Sequence, residues 1–144
     1  MYKLLTWLPA VMVLGAVMYK PVKEATETKT VNKNLSFAVY KTNPYTSGAY
    51  NNTSAEVHII VEKVNTSGKH TKVWDKKLDS RSLSLYPSVE NGLEQNITIH
   101  NVNQNKEHLV VYYTLTYNSK GSELQMWESS IIKENNSEKV DIKI

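Results

Sequence analysis

The sequence predicts an all-β fold: a single antiparallel two-sheet sandwich of seven or eight strands over residues 35–144. Three observations lead to that expectation. From Leu35 onward, short runs rich in valine, isoleucine, tyrosine and threonine alternate with clusters of asparagine, glycine, serine and proline, the texture of strands and turns. No stretch keeps a helical period for three turns. Two segments, 64–78 and 117–131, repeat one hairpin pattern 53 positions apart, with Asn65 matching Asn118, Gly68 matching Gly121 and Trp74 matching Trp127.

The strands are expected, in order, at 35–42, 55–64, 70–78, 82–86, 96–102, 109–117, 122–132 and 140–144. The fourth is a short edge strand ended by Pro87, because proline cannot donate to a ladder. The last is short and alternating, and it lies where it could pair with a neighbouring molecule's sheet edge.

The two echoing segments supply the clearest joins. Asn65 and Asn118 can each accept backbone bonds at the start of a type I turn, and Gly68 and Gly121 can take the left-handed conformation that closes a bulged hairpin. That geometry sets Val64 opposite His70 and Ile60 opposite Trp74. It likewise sets Tyr117 opposite Glu123 and Tyr113 opposite Trp127. In the second hairpin Leu109, Val111, Tyr113, Leu115 and Tyr117 then share a face with Trp127 and Ile131, which becomes the core face. The first hairpin is in conflict. Val57, Ile59, Val61 and Val73 point away from Ile60, Val64 and Trp74, so the hairpin is either buried on both faces or paired in another register. Trp74, Tyr113 and Trp127 are read as core anchors, and alanine at either tryptophan would cost about 3–5 kcal/mol.

Upstream, Lys3 precedes an apolar run at 4–19 interrupted only by Thr6. As a helix it would reach roughly 24 Å, less than the ~30 Å of a bilayer core. Residues 1–19 are therefore expected to be a signal peptide, or an uncleaved signal anchor, and membrane contact is expected through 4–19 alone. Residues 20–34, dense in charge and threonine, read as a polar tether. The expected location is exported, whether secreted, periplasmic or at the cell surface, or anchored to the membrane.

Composition excludes several classes. Cysteine is absent, which removes disulfides, thiolate metal sites and a cysteine nucleophile. The net charge of +3 arises from 17 basic and 14 acidic residues scattered along the chain, so no basic track for nucleic acid is present. His58, His70, His100 and His108 lack zinc-ligand spacing, and no phosphate loop, nucleophile elbow or calcium loop occurs. Asp75 and Glu128 read as surface charges rather than a glycosidase pair. No cofactor, metal or catalytic residue is expected.

The order of Ile97 to Val102, a polar corner, the aromatic strand from Tyr112 and the "NSKG" turn resembles the E-to-G region of immunoglobulin-like domains. The segment 73–78 is similar to the strand that carries that family's buried tryptophan. The resemblance implies an immunoglobulin-like sandwich, with Trp74 and Tyr112 as counterparts of the buried tryptophan and the corner tyrosine. Both family cysteines are missing, near Ile60 and Thr114, and the corner is about two residues longer than usual.

The candidate recognition loop is 41–54, "KTNPYTSGAYNNTS". Tyr45 and Tyr50 offer large contact area at low entropy cost, and Asn51 and Asn52 offer adaptable hydrogen bonding; the alternative is a connector whose tyrosines pack against the sandwich. Asn34, Asn51, Asn52, Asn65, Asn96 and Asn135 stand in glycan-acceptor triplets. The expected function is a non-catalytic binding module with a protein or a glycan as partner. The alternatives are a structural subunit of a cell-surface assembly built by strand pairing, and, third, a hydrolase using His100 or His108.

Overall fold

The computed structural model describes residues 29–132 and 136–144. Residues 1–19, expected to be a signal peptide or anchor, and residues 20–28 of the expected tether lie outside them. Among the described residues, no helix is long and apolar enough to cross a membrane. Among the described residues eight strands form: β1 (Thr30–Tyr40), β2 (Thr53–Asn65), β3 (His70–Lys77), β4 (Arg81–Ser82), β5 (Leu93–Asn103), β6 (Glu107–Ser119), β7 (Ser122–Ile132) and β8 (Ser137–Lys143). The other regular elements among these residues are three short 3-10 turns.

The strands make two sheets. One has the order β5-β1-β8; the other has the order β3-β2-β6-β7, with β4 pairing β2 beyond the end of β3. Alternation supplies the core. Leu35, Phe37 and Val39 from β1 meet Ala55, Val57, Ile59 and Val61 from β2 and Leu109, Val111, Tyr113 and Leu115 from β6. Each fully buried aliphatic side chain contributes roughly 1.5–3 kcal/mol, and together they hold the two sheets face to face.

Four expectations need correction. β1 begins at Thr30, inside the stretch read as tether, because residues 30–39 find partners along β5 from Asn103 to Leu93. The segment 82–86 keeps only two strand residues and then turns in a 3-10 helix. That turn drives Tyr86 inward, where its hydroxyl donates to the Ala55 carbonyl at 2.9 Å. β8 pairs with β1 in parallel, so the sandwich is not wholly antiparallel. The chain's last strand is thereby used inside its own molecule.

The fourth correction concerns the echoing hairpins, which prove to be built differently. In the first, Asn65 Oδ1 accepts from the Ser67 and Lys69 amides at 3.0 and 2.9 Å, and Gly68 sits at φ 76°. Val64 faces His70 as the turn chemistry requires. Two residues later the register shifts: Glu62 pairs with Lys72 and Val61 with Trp74, which leaves Val73 as the extra residue of a bulge. The bulge turns Trp74 to the side of Val57, Ile59 and Val61, and its ring stacks on Phe37 of the other sheet at 5.4 Å and 3°. This resolves the two-faced pattern of the first hairpin.

The second hairpin closes with two residues, whereas the expected pairing of Tyr117 with Glu123 leaves five between the strands. Ser119 pairs with Ser122, and Lys120 and Gly121 take φ 48° and 82°, the type I′ arrangement whose twist matches that of the strands. The pairing is displaced by one residue from the expected one: Tyr113 meets Glu128, and Thr114 meets Trp127. Because side chains alternate, that one step moves Trp127 to the outer face. It is 76 % exposed and is not a core anchor. Ile132 takes the buried role at the far end, opposite Leu109.

Candidate functional site

Of the four candidate residues in the tyrosine loop, only Tyr45 packs against the fold. Lys41 and Thr42 amides donate to Pro87 and Ile144 carbonyls at 2.9 and 3.0 Å, which tie the loop base to the sandwich end. Tyr45, at φ 51°, packs against the core cluster and meets Tyr50 edge-on at 5.1 Å. Tyr50, Asn51 and Asn52 remain exposed around a 3-10 turn. Beneath the loop, burial raises the Tyr117 phenol, with Tyr45 adding to the shift, and burial pushes Tyr86 up to about 12. The Tyr86 phenol keeps its proton at ordinary pH, as its bond to the Ala55 carbonyl requires.

The ionisable groups form local pairs on the surface. Asp75 accepts from Lys72 Nζ at 2.6 Å and stands 2.7 Å from His58 Nε2. The lysine hydrogen bond, followed by the histidine, holds its carboxyl below the usual range. His70 approaches Glu62 at 2.7 Å, and Lys77 pairs with Glu56 at 2.8 Å. Glu128 accepts from the Tyr113 hydroxyl, which burial first and this carboxylate second raise above its ordinary value. Asp75 and Glu128 stand on opposite edge strands and opposite faces of the sheet, so they form no catalytic pair. Among the described residues, no three histidine or acidic groups come together to hold a metal ion.

Tyr112, read through the family resemblance as a corner tyrosine, lies in the middle of β6 and faces outward between Ile60 and Ser129. Trp74 lies on β3, an edge strand, whereas β2 takes the central place beside β6. Both positions differ from those the resemblance implies.

One surface stands out from the others. β7 is an edge strand of eleven residues whose register against β6 runs without interruption from Ser122 to Ile132. It exposes large apolar side chains on both faces: Leu124 (61 %) and Met126 (49 %) on the side of Tyr117 and Leu115, and Trp127 and Ile131 (59 %) on the outer side. Edge strands are ordinarily guarded by lysine, proline or a bulge, because an open row of N–H and C=O groups templates further pairing. The other three edges carry such guards. β3 has Lys72, Lys76, Lys77 and the bulge at Val73. β5 is interrupted where His100 and Asn101 face Asn32 alone, with Asn101 at φ 55°. Lys63 Nζ ties that bulge down through the His100 and Asn101 carbonyls at 3.0 and 3.1 Å. β8 is short and carries Lys139 and Lys143. β7 has no lysine, proline or bulge.

Sequence reasoning missed this site because it buried Trp127. A signal was present in the contrast between the lysine-rich β3 segment and the lysine-free β7 segment, but only sheet order shows that both are edges. Comparison with protein-family models, curated proteins and solved structures found no match for this chain.

Proposed function

We propose that the chain is an exported or membrane-tethered, non-catalytic binding module whose working surface is the free edge of β7. The single observation behind this is an eleven-residue edge with no lysine, proline or bulge, charged only at Glu123 and Glu128, that exposes Leu124, Met126, Trp127 and Ile131. A soluble domain seldom leaves such an edge bare unless another chain covers it. The expectation of export rests on the apolar segment at 4–19 and its polar continuation.

An immunoglobulin-like reading of the architecture is supported by strand order. β7-β6-β2-β3 follows the G-F-C-C′ sequence of variable-type domains, and β1 with β5 follows the B–E pair. The parallel β8 is the departure from that plan.

A photo-crosslinking amino acid placed at position 127, in the cells that make the protein, tests the working surface. Adducts are expected at 127 and not at position 98, on the outer face of the other sheet. Equal yields at both positions, or none at 127, overturn the proposal. Fractionation and intact mass of the mature chain test the location, with a purely cytosolic full-length chain as the contrary result.

A further inference from the structure

We infer that the occupant of the β7 edge is a second copy of this chain, paired antiparallel through β7 about a two-fold axis at Trp127. The inference rests on the binding reading of that edge and names its partner.

The turn determines which backbone groups are free. A type I′ turn is closed by a bond between the Ser119 carbonyl and the Ser122 amide, so Ser119 and Ser122 form a hydrogen-bonded pair. In an antiparallel ladder such pairs alternate. The pairs from Tyr117–Leu124 to Leu109–Ile132 that fall on this alternation point their β7 groups inward at β6. Glu123, Gln125, Trp127, Ser129 and Ile131 are left with N–H and C=O directed at the open edge.

A partner strand must therefore donate and accept at every second residue while covering apolar side chains on both faces. β7 itself meets both requirements. Centred on Trp127, self-pairing sets Gln125 against Ser129 of the partner subunit and Glu123 against Ile131 of the partner subunit. On the other face, Met126 meets Glu128 of the partner subunit and Leu124 meets Ser130 of the partner subunit. No carboxylate opposes another, although each β7 carries Glu123 and Glu128. A register centred on Glu128 would oppose the two copies of Glu128 directly, which is unfavourable. β3 suits the role less well, since its bulge bends the edge that would have to lie flat. The paired sheets would form one sheet of ten strands counting each β4, still within the usual range.

The absence of cysteine makes the register directly measurable in the full chain. Opposed residues of a hydrogen-bonded pair have Cα atoms about 5.5 Å apart, inside the disulfide range of about 4.4–6.8 Å. The two copies of residue 125 would stand about 14 Å apart, four residues along the strand. A mixture of Gln125→Cys chains with Ser129→Cys chains should oxidise to a dimer, while either variant alone should not. The unmodified full chain should sediment as a dimer, and Trp127→Lys, at an exposed position, should raise the dissociation constant at least about tenfold with an unchanged circular dichroism spectrum.

Equal crosslinking of either variant alone, a monomer at all concentrations, or a dimer indifferent to Trp127→Lys would overturn self-pairing. The last result would place the contact elsewhere, including the segment at 4–19. The photo-adduct at position 127 separates the two levels: twice the chain mass supports self-pairing, another mass refutes self-pairing and leaves the edge as a binding surface, and no adduct refutes both.

Discussion

Trp74 and Trp127 occupy matching places in two similar hairpins, yet one stacks between the sheets and the other stands in solvent. The difference turns on a single residue in each case: the extra Val73 rotates Trp74 inward, and the two-residue turn at Lys120 and Gly121 rotates Trp127 outward. Their alanine variants should diverge accordingly. Trp127→Ala should change folding stability by no more than about 0.5 kcal/mol, as surface substitutions do. Trp74→Ala removes a half-buried ring stacked on Phe37 and should cost about 2–3 kcal/mol, less than a fully buried aromatic. Urea unfolding of both variants checks the contrast. At this scale the sequence shows that the rings are large and apolar; it does not show which way they face, because a one-residue slip inverts every side chain of a strand.

At the scale of elements, the turns were partly legible. Asn65 and Gly68 predict their own geometry, since a side-chain acceptor and a left-handed glycine are local requirements. The second turn shares the same letters but places a lysine in the left-handed region, where a residue with a Cβ is strained by roughly 1 kcal/mol. Lys120→Asn should therefore stabilise the domain by about 0.5–1 kcal/mol, read as a higher denaturation midpoint at unchanged slope. A neutral or destabilising result would show that the type I′ turn is not the native one. The bulge in β3 left a trace in the sequence as apolar residues on two conflicting faces. Its position became clear only when β1 supplied Phe37 for Trp74 to meet.

For the whole molecule, β8 is the element whose role the sequence least reveals. It follows β7 in the chain but joins the opposite sheet, parallel to β1, and buries Ile142, with Ile144 just beyond its end nearly as deep. Ile142→Ala should cost about 2–4 kcal/mol. Removing residues 140–144 should unfold the domain rather than merely alter its assembly; a truncated chain with a cooperative, near-native thermal transition would contradict this. The sequence by itself determined the all-β class, most strand positions, the first turn and the lack of cysteine chemistry. Each of these depends on side-chain size, alternation or a local hydrogen bond, and such properties act over a few residues. Only the tertiary structure decided that β8 completes the first sheet, that β2 rather than β3 lies beside β6, and that β7 is the edge left without lysine, proline or bulge. Those outcomes depend on which strands become neighbours. That choice is made by two sheets burying one shared core, so it cannot be read from any strand alone.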